Sequence, residues 1–418
     1  MSEDQTFMET AEQSWGSRLR NSCKGMAFGF LLVLGGLYLL GWNEGNSVAA
    51  RRSLEEAEKL CISLDTIDSV NPTYEHKLIY ISGMVSPAST ILRDTEFQVV
   101  PPRPAIKLKR TVEMYQWTQS QSTQEHKKTG GKTETETTYT YRKEWVDHVV
   151  DAGAFHFADH ANPPSMPFTK LVLVAPTVKM GDFDVSYVVL DKISWFQPLS
   201  PANYSTSFLS ADTVGNSSVS VYPEEGYYFG EQQSEPEIGD TRVSFSYIPE
   251  QVVSIIARQS GHSFSTYFTS NKRGILLVEQ GSVSAEEMFI HANKQVSFMA
   301  WVFRLLGFLI LWMGFKAIVQ PISTFADVLP LIGNILDAGS NVVTCLLALV
   351  VGTIVIASSW LLFRPVLSIL LLVIVGGISL FVWKRSKEDK NVQEEADAYL
   401  APPETEAYPT ESKPLLKK

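Results

Sequence analysis

The run VVTCLLALVVGTIVIASSWLLF, Val342–Phe363, carries no charge, and VLSILLLVIVGGISLFVW, Val366–Trp383, carries none either. Only Arg364 and Pro365 separate them, so the pair reads as a tight transmembrane hairpin. Upstream, Val296–Val319 is apolar except for Arg304 and Lys316. Each run reaches the roughly 18 apolar residues that span a ~30 Å hydrocarbon core. Lipid offers the backbone no hydrogen-bond partner, so uninterrupted runs of this length must be helices. The chain reads as an integral membrane protein.

Working outward, residues 1–24 read as a polar tail with Arg18, Arg20 and Lys24 near the membrane. Gly25–Trp42 supplies an uncharged first span that ends on an interfacial tryptophan. It is longer than a usual signal-peptide core, which disfavours a cleaved leader at Val48-Ala49-Ala50. Gly25 to Gly29 has the spacing of a helix-packing motif, with ordinary close packing the simpler reading. The predicted organisation is an α+β membrane protein with one N-terminal and three C-terminal transmembrane helices. A large β-rich lumenal domain is inserted after the first. The expected segments are a cytosolic tail (1–24), a first span (25–42), the lumenal domain (43–295) and a second span (296–319). An amphipathic interfacial helix (320–341), spans three (342–363) and four (366–383), and a disordered cytosolic tail (384–418) complete the order.

Orientation follows from Lys384, Arg385, Lys387 and Lys390, which directly follow the last span and favour cytosolic termini. The middle segment is then lumenal, and the sequons at Asn203 and Asn216 are compatible with that. The tail stretch Glu411-Ser412-Lys413-Pro414-Leu415-Leu416 fits an acidic dileucine sorting signal, which would suit an endolysosomal membrane. The net charge of −10 disfavours nucleic acid as a partner. Of three cysteines only Cys61 lies in the middle segment, so no disulfide can form within it, and a Cys61–Cys61 bridge between copies stays open.

Within the middle segment a helix is expected over Ser47–Leu60, followed by strands. Val185, Tyr187 and Val189 alternate, as do Val243, Phe245 and Tyr247, giving the period of two of a half-buried strand. Leu171–Val174, Val252–Ala257 and Ile275–Val278 read as central strands. A long hairpin around Gly130-Gly131 joins Val112–Gln119 to Lys132–Val146, with neither face apolar near its tip. Ser284 caps a helix that should run on into the second span. Residues Pro321–Ser340 carry one apolar helical face and read as an in-plane helix kinked at Pro330.

Several stretches resemble the LUMA, or transmembrane protein 43, family. These are Asn43-Glu44-Gly45, Val112–Trp117, Gly239–Tyr247, Ile256–Gln259, Ser284–Glu287, Trp301-x-x-Arg304 and Arg364-Pro365. They run in family order from about residue 25 to 385, while both tails depart from the family pattern. The resemblance implies four spans, a lumenal domain, and residence in the endoplasmic reticulum and inner nuclear membrane. It also implies self-association and scaffolding contacts with emerin-like and lamin-like partners, besides membrane lipids.

No catalytic constellation, cofactor fingerprint or metal set stands out, so the chain does not read as an enzyme. His156 and His160 have a helical spacing used by metal sites, but as surface histidines of a polar loop they need no ligand. Asp182 and Asp184 read as turn carboxylates. Arg304 and Lys316 could both snorkel to opposite interfaces. Glu44 is the nearest carboxylate for Arg304 and Arg364, which predicts a charge cluster of Glu44, Arg304 and Arg364, with Asn43, tying the first span to the rest. The favoured function is a membrane scaffold; a channel or transporter component and a lumenal lipid-binding domain are the alternatives.

Overall fold

A computed structural model describes residues 5–88, 91–128, 132–200, 219–222, 226–326 and 330–363. The chain divides into two compact units, Met1–Val355 and Ile356–Lys418; of the second, only the last residues of one helix are described. Three helices among the described residues are long and apolar enough to cross a membrane. These are α1 (Trp15–Leu60), α3 (Ala285–Ala326) and α4 (Pro330–Phe363); a short helix, α2 (Tyr187–Lys192), lies in the β-rich domain. The expected fourth span at 366–383 and the tail at 384–418 lie outside the described residues.

The first sheet runs in the order β1 (Gln5–Gln13), β5 (Thr133–Val146), β4 (Ala105–Lys127), β12 (Thr241–Pro249), β11 (Gly226–Phe229) and β10 (Val219–Tyr222). β6 (Leu171–Val174) pairs with β4 and β9 (Gln197–Pro198) with β12. The second sheet runs β17 (Leu277–Gln280), β13 (Gln251–Ser260), β14 (Ser263–Ser265), β8 (Phe183–Asp184), β7 (Val178–Met180), β3 (Leu78–Pro87) and β2 (Ile62–Ser63). A further β13–β3 pairing closes β13, β14, β8, β7 and β3 into a ring. β15 (Tyr267–Phe268) and β16 (Gly274–Ile275) form a small separate ladder. Alternation decides the faces: in β12 Val243, Phe245 and Tyr247 are buried while Ser244 and Ser246 between them are partly exposed. Their rings join Phe97, Tyr227 and Ile255 in one core shared by both sheets.

The outer face of the second sheet carries the helices. Leu54 and Ala57 of α1, with Met288 and Phe289 of α3, pack on Leu78, Ile256 and Ile275. Ser284 caps α3, its hydroxyl accepting the Glu287 amide at 3.2 Å, and Tyr80 donates to the Val283 carbonyl at 2.7 Å. Below the domain α1 and α3 pack closely through small residues. A Cβ on Gly29 would stand 2.8 Å from the Gly314 carbonyl, and one on Gly307 would stand 2.6 Å from Leu40. The Gly29 approach is therefore used within the chain, as small residues are in other close helix contacts.

Several expectations differ from the structure. Residues 1–24 form no free tail: Gln5–Gln13 is a strand paired along its whole length with Thr133–Tyr141, and the helix begins at Trp15. Ser14 makes that start, accepting the Ser17 amide as N-cap. The first span and Ser47–Leu60 are one helix, and α3 continues past Val319 to Ala326 with Pro321 inside it. No separate helix occupies 320–341; Pro330 opens α4, where its missing N–H costs nothing and its fixed φ suits a first turn. The stretch at 185–193 is not a strand. Val185, Val189 and Ile193 are buried at intervals of four, which places them on one side of a helix while Tyr187 stays exposed. β6 is an edge strand joined only to β4, with Val172 exposed, rather than central. β17, which covers much of Ile275–Val278, is the terminal strand of its sheet.

Candidate functional site

The most polar point in the contact between the long helices is built from Asn43, Glu44 and Arg304. Glu44 has no exposed surface and Asn43 almost none, although both directly follow the apolar first run. Arg304 lies on α3, two turns beyond the segment that packs on the domain. Its Nε donates to Glu44 Oε1 at 2.6 Å and its Nη2 to Oε2 at 2.9 Å, a fork on both carboxylate oxygens. Asn43 Nδ2 donates to the Ala300 carbonyl at 3.0 Å, one turn earlier on α3. The Trp301 ring lies 4.8 Å from the guanidinium carbon and covers it. A lone charge at this depth would be costly, and pairing with hydrogen bonds is what makes the site tenable. Leading towards the domain, Arg51 donates to Ser297 at 2.9 Å, and Ser53 to Asn271 at 2.6 Å. Arg273 donates to Asn46. Polar links thus continue from the charge pair to the base of the sheets.

Arg364, the third expected member, lies outside the described residues, as do Asn203, Asn216, Glu411, Leu415 and Leu416. Lys316 is on α3, twelve residues after Arg304.

A second polar construction lies on the long hairpin, which extends further than expected. β4 and β5 pair from Met114–Val146 to Lys127–Thr133, and Lys128 closes the end by donating its amide to the Lys132 carbonyl. The loop 147–162 is strapped across the base of this arm by three amide side chains. Gln116 donates to the His148 carbonyl and accepts the Val150 amide, and Gln119 accepts the His156 amide. Asn162 accepts the Trp117 amide at 2.8 Å and donates to the Trp117 and Val150 carbonyls. Each reads backbone only, a role that sequence spacing does not reveal. His160 is not at the surface. It is 5% exposed, each neighbouring ring, Trp117 and Tyr141, lies 4.3 Å away, and neither ring nitrogen has a hydrogen-bond partner. His156 stacks on Tyr139 and pairs with Glu9 of β1 at 3.0 Å. The two histidines therefore do not converge on one ligand, and no group of His, Cys, Asp or Glu suited to a metal occurs among the described residues.

Two further groups are set by their surroundings. Burial pushes the Cys61 thiol up to about 11, and the residue is a free cysteine. Desolvation lowers Lys107, whose Nζ donates to the Ile193 carbonyl at 2.8 Å. The largest described hollow, about 520 Å³, is an open depression lined by Val149, Asp151, Phe155, His160 and Pro163 of the strap.

The family model described as Transmembrane protein 43 matches residues 114–365, which takes in the arm, most of both sheets, Arg304 and α4. The chain belongs to the transmembrane protein 43 family. A rat Transmembrane protein 43 is 32% identical over 365 residues, 85% of this chain and 88% of its own length. The human Transmembrane protein 43 is 30% identical over 365 residues, again 85% and 88%. A fruit-fly Transmembrane protein 43 homolog is 29% identical over 366 residues, 85% of this chain and 93% of its own. No solved structure matches the chain. Membership of the transmembrane protein 43 family agrees with the membrane-spanning character of the three long helices.

Proposed function

We propose that the chain is a non-enzymatic membrane scaffold that self-associates and organises other proteins of the endoplasmic reticulum and inner nuclear membrane. The observation that carries this reading is the unbroken passage of α1 and α3 from the bilayer into the domain, fixed by the Glu44–Arg304 pair. Such a frame holds a binding surface at a set height and orientation. The compartment and the emerin-like and lamin-like partners rest on the family resemblance alone, and an endolysosomal address remains the alternative. A channel or transporter reading finds less support, since the buried acid in the helix contact is neutralised by a forked arginine. A lipid-binding reading would need a deep apolar cavity; the most apolar described hollow, beside Leu92 and Pro101–Pro104, holds about 360 Å³.

The test has two parts. Light scattering of the purified chain in nanodiscs should give a mass above one copy; a monomer at working concentration removes the self-association. Expression with microsomes should add sugar at Asn203 and Asn216, and loss of both bands in the Asn203→Gln, Asn216→Gln double variant checks the assignment. An unmodified wild-type chain contradicts a lumenal domain.

A further inference from the structure

The β domain holds α1 at two distant places. Leu54 and Ala57 pack against the second sheet, and Gln13, just before the helix, pairs with Thr133 near the end of the arm. The roughly 39 residues from Trp15 to Leu54 cover about 59 Å at ~1.5 Å each. β4, with 23 residues, extends about 76 Å at ~3.3 Å each. Trp15 itself is anchored to the far end of α3, donating to the Thr324 carbonyl at 3.0 Å. The arm therefore reaches along the whole apolar stretch Gly25–Trp42. Wherever that stretch crosses a bilayer, the arm stands at the same depth.

Hydrocarbon cannot receive such an arm. Its strands are rich in Thr, Gln, Ser and Glu on both faces, and it has two open edges. β12 covers β4 only as far as Met114; just beyond, Tyr115 bonds to Gly239 and Asp240, and Trp117 to Asn162. From Thr118 to Lys127 no described residue pairs with the outward edge of β4, and the outward edge of β1 is likewise free. Irregular or open backbone at this depth is tolerated only inside protein or beside water.

We propose that the arm lines a water-filled compartment closed by further copies of this chain. The Thr118–Lys127 edge of one copy pairs with the Gln5–Gln13 edge of the next. β1 and β4 are both antiparallel to β5, hence parallel to each other, and the edges are of nearly equal length. They lie on opposite sides of one three-stranded unit and differ in sequence. Such a contact is head-to-tail, and rotation about a common axis closes it into a ring without free edges. The apolar side chains of α1 and α3 then face lipid outside and the polar arms face water inside. This rests on the self-association proposed above and adds its surface.

The experiment uses the full chain with Cys23, Cys61 and Cys345 replaced by serine. In sealed microsomes an impermeant maleimide should label Lys132→Cys, at the arm's end, without permeabilisation, and Lys179→Cys, on the sheets, only after it. Labelling of both positions under the same condition would place the arm's end and the sheets on one side and overturn the crossing. For the edges, Met8→Cys is combined in turn with Ser120→Cys, Ser122→Cys and Gln124→Cys and oxidised. At least one pair should give a ladder of trimers and larger species that neither single variant gives. No cross-link, or a ladder ending at dimer, overturns the edge pairing. Light scattering separates the two readings: a monomer sinks both, and an oligomer without cross-links sinks only this one.

Discussion

Glu44 and Arg304 meet across the contact of α1 and α3 through two hydrogen bonds, with the carboxylate fully buried. Removing the arginine alone leaves that carboxylate without its fork. Arg304→Leu should cost about 3–5 kcal/mol, the usual penalty for stranding a buried charge. The double variant Glu44→Met, Arg304→Leu should recover most of it, because apolar replacements of a buried pair are often neutral. Unfolding in nanodiscs followed by tryptophan fluorescence reads both; equal stability of the single variant and the wild type would contradict the account.

Close approach of the helices depends on particular glycines. Gly29→Ala forces a methyl to within 2.8 Å of a backbone oxygen that cannot turn away, so α1 and α3 must part. Gly35→Ala meets nothing within 4 Å and should leave stability unchanged or slightly raised. Melting temperatures of the two variants, measured side by side, should fall on opposite sides of the wild type.

Cys61 should be slow to react while the chain is folded. With its pKa near 11, little thiolate exists at pH 8, and partial burial adds a steric barrier. Alkylation followed by mass spectrometry should find Cys61 largely unmodified in the native protein and fully modified in denaturant. Rapid native labelling would mean the junction of α1 and β2 opens readily.

Asp147 provides a surface check on electrostatics. The hydrogen bond from Lys170 at 2.5 Å, with a second from His148, holds its carboxyl at about 2, below the ordinary 3.8. A depressed carboxylate contributes fully above the ordinary value and loses that contribution as pH falls towards 2. Lys170→Ala should return the titration midpoint most of the way to the ordinary value, read by carbon NMR of the labelled carboxyl. The pair is solvent-exposed, so little change in stability should accompany the shift.

Much of the frame was legible because lipid and sheet periodicity impose simple patterns. The runs at Gly25–Trp42, Val296–Val319 and Val342–Phe363 fall within long helices, and the Val243–Tyr247 alternation falls on β12. Glu44 stood out since a single acid beside an apolar run needs a partner, and Arg304 was the nearest arginine within a span. The strand at Gln5–Gln13 was not legible: its exposed polar residues carry no one-sided apolar pattern, and its partner lies far along the chain. His160 was misread for a related cause. Its burial comes from Trp117 and Tyr141, which only the folded arm brings together. Pairing across long sequence separation leaves little local trace.

That separation also has a consequence in time. Gln5–Gln13 leaves the ribosome among the first residues, yet its partner strand begins only at Thr133. About 120 residues must be made in between, a wait of roughly 6–24 s at ~5–20 residues per second. During it the strand is exposed with both edges free, and α1 is complete before β5 exists. A nascent chain must therefore either shield its own beginning or recruit a chaperone to do so.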